Sequence, residues 1–193
     1  GLPVVYAFAW YQQFPISVIA KPELGIESPE DLRGRKIGLP GLFGANYIGA
    51  QALLFSAGID PSEVEFDAIG FNEVESFATG ASDVVVGYAA NEPIVLASQG
   101  FELTELRVAD YAQLTANGIV TSEMTITNEP ELIRSMARAL ARGIADTIAN
   151  PDEAYTISLK FVENLKDQDK DVQMQVLKTS IEFWQAERIG FSE

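Results

Sequence analysis

Through its first hundred residues the chain alternates short apolar runs with longer amphipathic ones. The runs Val4 to Trp10, Ile16 to Ala20, Lys36 to Leu39, Val64 to Ala68 and Asp83 to Tyr88 read as strands. VVVGY (84–88) is apolar at every position, which is the pattern of a strand covered by helices on both faces. Helical segments fall between them: Asn46 to Ala57, about Asn72 to Thr79, and about Glu92 to Gln99, closed by Gly100. This alternation predicts parallel βαβ units. A capping residue followed by proline marks three helix starts, at Ser28-Pro29, Asp60-Pro61 and Asn150-Pro151. At the latter two a glutamate follows three residues after the cap, as in a capping box.

After Gly100 the pattern changes. Leu103 to Ala109 and Gly118 to Thr121 read as further strands, and the rest of the chain is helical. Ile133, Met136, Ala137, Leu140, Ile144 and Ile148 form one apolar stripe at helical spacing. Arg134, Arg138 and Arg142 form a separate row that reads as a solvated face. Phe161, Leu165, Val172, Val176, Ile181, Phe183 and Trp184 read as core of the last helices.

The 193 residues, 47% hydrophobic and 21% charged, suffice for one large or two small domains. A formal net charge of −15 disfavours nucleic acid and anionic membrane surfaces as partners. The chain has neither cysteine nor histidine. Disulfides, thiolate metal sites, cysteine nucleophiles and a Ser-His-Asp triad are therefore excluded. The acids offer no metal constellation: Glu63, Glu65 and Asp67 alternate along a solvent-facing strand, and Asp167, Asp169 and Asp171 lack the glycine and terminal glutamate of a calcium loop. No metal, cofactor or catalytic residue is expected.

The candidate chemistry lies at two strand tips. In an open α/β sheet both would lie at the carboxyl edge, where such sheets bind ligands. After Lys36 to Leu39 comes a loop with GxxGxxG spacing (Gly38, Gly41, Gly44) and the start of a helix at Asn46 and Tyr47. Its glycines serve either a turn with positive φ or the close approach of backbone N–H groups to a ligand. The second tip carries Tyr88, Asn91 and Glu92. Neither tip holds a basic residue. A third segment, Phe8-Ala9-Trp10-Tyr11-Gln12-Gln13-Phe14, packs four aromatic rings and two amides into seven residues. Strand alternation sends Phe8 and Trp10 one way and Tyr11 the other. Core packing and the stacking of a planar heterocycle both account for these rings. Asp110, Tyr111, Asn117 and Thr121 line a cleft or cap turns. The arrangement reads as one that holds a molecule and does not transform it.

The sequence SPEDLRGRKIGLPG followed by ASDVVVGYAANEP resembles the NMT1/THI5-like group of ABC-importer solute-binding proteins, which includes sulfonate, pyrimidine-precursor and riboflavin binders. The resemblance implies an α/β, periplasmic-binding-protein-like (type II) two-lobed fold whose lobes close on a ligand. On it, residues 1–10 are the first crossing strand, 11–101 a complete second lobe, and 102–193 the return crossing with the C-terminal helical part of the first lobe. The N-terminal part of that lobe is expected to be missing, and with it any signal sequence. A swapped or packed dimer would cover the apolar surface this leaves. The implied ligand-binding residues are Trp10, Tyr11, Gln12, Phe43, Gly44, Asn46, Tyr47, Tyr88, Asn91 and Glu92, with Leu42 beside them. The implied partners are a small neutral flavin or pyrimidine and an ABC permease, in an extracytoplasmic setting. Riboflavin is the expected ligand; a thiamine pyrimidine precursor, an alkanesulfonate or nitrate, and a ligand-sensing regulatory domain are the alternatives. The pyrimidine synthase of this group relies on cysteines and a histidine, which are absent here.

Overall fold

A computed structural model describes residues 3–185 of the chain. It divides into two units: one runs from Phe14 to Leu114, and the other joins the residues up to Gln13 with those from Thr115 on. The outermost residues of the expected first and last segments, 1–2 and 186–193, lie outside the described residues.

The 14–114 unit is a five-stranded mixed sheet. Its strands are β2 (Ile16–Ala20), β3 (Lys36–Leu39), β4 (Glu65–Ala68), β5 (Val84–Tyr88) and β6 (Thr104–Arg107), in the order β4-β3-β5-β2-β6. The helices are α1 (Gly44–Ser56), α2 (Glu73–Thr79) and α3 (Glu92–Ser98). The expectation of parallel pairing holds for β3 with β4 and with β5. It fails for β2, which runs antiparallel to both β5 and β6. Both faces of β2 are buried along its whole length, so its apolar run carries no signal of direction; β1 (Val4–Ala9) lies in the other unit. The strand at 104–107, read from sequence as part of the return crossing, pairs with β2 inside this unit.

Both faces of the sheet are covered, which explains VVVGY. Val84 and Val86 pack with Ile16, Val18, Leu39, Leu53 and Leu54 under α1. Val85 packs with Ile19, Phe77 and Leu96 under α2 and α3. Each fully buried aliphatic side chain of this kind contributes about 1.5–3 kcal/mol.

In the other unit β1 pairs antiparallel with β7 (Gly118–Ser122), with a bulge between Tyr6 and Phe8. Four helices follow: α4 (Glu123–Asn128), α5 (Pro130–Ala149), α6 (Pro151–Ser158) and α7 (Lys170–Gln185). Tyr155, Leu165 and Met174 form a small core. Ile181 and Phe183 are buried as expected, but Phe161 is 81% exposed, in the turn beyond α6. No residue of α5 is fully buried.

Of the three proline-marked starts, only that at Asn150 opens an α-helix; those at Ser28 and Asp60 open single 3-10 turns. The chain needs only a bend there before β3 and β4. One carboxylate oxygen of Asp31 closes the first bend, accepting from the Glu27 N–H (3.1 Å), the Ser28 N–H (2.9 Å) and the Ser28 hydroxyl (2.9 Å). These bonds, with the charge of Arg35, hold the Asp31 carboxyl below its usual range. A depressed carboxyl stabilises the fold above its unfolded pKa and loses that contribution as pH falls through the folded value. Asp31→Asn is therefore expected to lower the urea midpoint at pH 7, with the gap to wild type closing as pH drops below about 4. A gap independent of pH rules out the charge of Asp31 as its cause.

Candidate functional site

The parallel register sets Gly38 beside Val85, so β3 and β5 end at one edge of the sheet. β2 starts at that edge, where Ile16 faces Tyr88, and the Ala89 N–H bonds the Pro15 carbonyl (2.9 Å). The candidate residues Phe43, Gly44, Asn46, Tyr47, Asn91 and Glu92 follow the ends of β3 and β5 here, and Tyr88 is the last residue of β5.

Their roles differ. The helix α1 starts at Gly44, two residues earlier than the sequence predicts, because Gly44 takes a left-handed φ of 72° that turns the chain into it. Of the three spaced glycines it alone has positive φ. Gly38 leaves room for the Ser82 hydroxyl, and the Phe43 ring lies over Gly41. Leu42 and Phe43 are exposed (56% and 69%). Asn46 is buried, and its Nδ2 donates to the Val86 carbonyl (2.7 Å), fastening α1 to β5. Tyr47 packs edge-on to Phe66 (5.3 Å between centroids) and borders the core, as does half-buried Tyr88.

Glu92 folds back over Gly87, where a Cβ would lie 2.5 Å from Oε2. Its carboxylate accepts from the Tyr88 N–H and from Asn91 Nδ2 (2.7 Å). Asn91 thus caps α3 by position without a side-chain bond to the helix backbone.

The sequence reading missed two residues at this edge. Phe71, in the turn between β4 and α2, is 86% exposed. Glu73, the first residue of α2, is buried; burial pushes its carboxyl up, its own N–H opposes this, and the charge of Glu92 adds to the rise. An acid at a helix start reads from sequence as ordinary capping, so nothing distinguished it.

The remaining candidates belong to the other unit. The strand β1 ends at Ala9, so alternation no longer applies at Trp10 and Tyr11, and their rings meet (5.4 Å between centroids). Both backbone N–H groups bond the Asn117 carbonyl (3.0 Å each). Trp184 stands 5.6 Å from Trp10 and edge-on to Tyr11 at 6.2 Å; Phe183 is 6.5 Å from Tyr11. Gln12 joins this group through its N–H bond to the Phe183 carbonyl (3.0 Å), and its Nε2 reaches the Ala9 carbonyl. The indole Nε1 atoms of Trp10 and Trp184 are buried without hydrogen-bond partners. Phe183 and Trp184, read from sequence as core only, thus complete an aromatic cluster with Trp10 and Tyr11. No sequence spacing announces a contact between residues so far apart.

Asp110 and Tyr111 end a 3-10 turn in the 14–114 unit, while Thr121 lies in β7 opposite Val5. Glu63 pairs with Arg33, and Asp67 with Lys36 (2.9 Å). Among the described residues no cluster of three or more acids could hold a metal ion.

A model of the family described as NMT1/THI5 like matches residues 1–154. The chain belongs to the NMT1/THI5-like family. It is 43% identical over 187 residues to the riboflavin-binding protein RibY of Chloroflexus aurantiacus, covering 97% of this chain and 53% of that one. It is 30% identical over 162 residues to a Legionella pneumophila protein named 4-amino-5-hydroxymethyl-2-methylpyrimidine phosphate synthase, covering 81% of this chain and 50% of that one. The chain thus spans about half the length of these curated relatives. The periplasmic aliphatic sulphonate binding protein SsuA of Escherichia coli superimposes with a TM-score of 0.74 at 12% identity, covering 94% of this chain and 56% of that one. The fold is that of the periplasmic binding proteins. Among the described residues no helix is long and apolar enough to cross a membrane.

Asn46→Ala is expected to cost about 1–3 kcal/mol in urea unfolding, because it leaves a carbonyl of a buried strand without its donor. A loss below about 0.5 kcal/mol would remove Asn46 from its place as the fastening of α1 to β5.

Proposed function

We propose that this protein is the extracytoplasmic solute-binding component of an ABC importer and that its ligand is riboflavin. The observation that carries the reading is the 43% identity, over nearly all of this chain, to a riboflavin-binding protein. The site chemistry supports it. The loops after β3 and β5 carry no Lys or Arg, and Arg107, at the end of β6, pairs with Glu105 (3.4 Å). Aromatic rings and exposed apolar side chains are what remain to grip a ligand, and these suit a flat, neutral heterocycle better than an anion. Binding without turnover fits a chain that has neither cysteine nor histidine. Delivery of the ligand to a permease completes the reading.

Equilibrium dialysis against riboflavin, a formylated aminopyrimidine and an alkanesulfonate tests it. Saturable binding of riboflavin, released chemically unchanged, is expected. Trp10→Ala is expected to weaken that binding by about 1–3 kcal/mol, through lost ring contact and buried area. Saturable uptake of the sulfonate with no uptake of riboflavin overturns the reading. Preference for the aminopyrimidine replaces riboflavin with a pyrimidine precursor as the ligand.

A further inference from the structure

We propose that Trp184 contacts the ligand, and that its Nε1–H together with that of Trp10 donates to carbonyl oxygens on a flat ring. The proposal rests on the binding reading above and deepens it.

Trp10 follows β1, and Trp184 lies in the last turn of α7; their ring centroids are 5.6 Å apart at 43°. The backbone bond from the Gln12 N–H to the Phe183 carbonyl fixes the two segments to each other. The cluster is therefore held by main chain as well as by ring packing. Both indole nitrogens are closed off from solvent with no acceptor in reach. An indole nitrogen is a donor only. A buried donor left unpaired is costly, and folded proteins keep few of them. Three such side-chain donors occur among the described residues, the Ser17 hydroxyl and these two indole nitrogens.

A pair of orphan donors in one four-ring cluster is accounted for by acceptors arriving from outside the chain. The rings beside them select a flat molecule. The donors are neutral, so they match uncharged carbonyls; a sulfonate or carboxylate gains most from charged donors. The dione edge of an isoalloxazine carries two such oxygens on a rigid ring.

The test uses the full chain, equilibrium dialysis read by flavin absorbance, and the variants Trp184→Phe and Trp10→Phe. Phenylalanine keeps a flat apolar ring and removes the N–H. Each variant is expected to bind riboflavin and lumichrome about five- to tenfold more weakly. The thermal midpoint of the free protein should hold or rise, since a buried unpaired donor has gone. Wild-type affinity in Trp184→Phe overturns the proposal while leaving the functional reading intact. A second arm needs no variant: wild type should prefer lumichrome to phenazine, a tricycle without carbonyls, by about tenfold or more. Equal binding of the two overturns the proposal even if Trp184→Phe does not fold. Failure of wild type to bind either tricycle or riboflavin overturns the functional reading and this proposal together.

Discussion

The site edge of the 14–114 unit depends on the register between β3 and β5. With Gly38 beside Val85, two parallel strands about 5 Å apart end together, and the loops that follow them open at one place. A slip of one residue would exchange the two faces of β5. Val84 and Val86 would leave the core under α1, and Gly87 would no longer stand where Glu92 needs a missing Cβ. The bond from Asn46 to the Val86 carbonyl opposes that slip, because it joins α1 to β5 at one register only. Hydrophobic burial supplies most of the free energy of this unit, but that is tolerant of small shifts; the amide bond is not.

What could be read in the chain follows from how local each cause is. Strand and helix positions in the first hundred residues are set by apolar period and by caps, and lie within about two residues of the sequence reading. Strand direction is not local. The apolar residues of β2 look the same whichever way the strand runs, and only its pairing with Tyr88 at one end and Thr104 at the other fixes it. The lengths of the turns at Pro29 and Pro61 escaped for a related reason. Their caps are real, but how far a helix continues depends on what it packs against.

The candidate residues show the same division. Polar residues at strand tips are visible in sequence; what each is bonded to is not. Asn46 spends its amide N–H on β5, and Asn91 and the Tyr88 N–H spend theirs on Glu92. Glu73 looked like one more acid at a helix start, yet the fold buries it near another. Trp184 is 174 positions from Trp10, and no periodic pattern reaches that far.

Under the proposed function, these internal bonds bear on the choice of ligand. The polar groups at the strand tips are already committed to one another, so a ligand meets few donors or acceptors there that are not in use. In the 14–114 unit the proposed recognition is then left to ring faces and to the exposed apolar residues Leu42, Phe43 and Phe71. A net charge of −15 adds a field that disfavours anions at long range. A sulfonate binder built on this frame would need local cations to offset both effects, and the loops after β3 and β5 supply none. A neutral ring carries no such penalty and buries its faces against side chains that bring no charge of their own. The shared fold with a sulfonate-binding protein at 12% identity therefore says little about the ligand: under the proposed function, the residues at the strand tips decide which solutes fit.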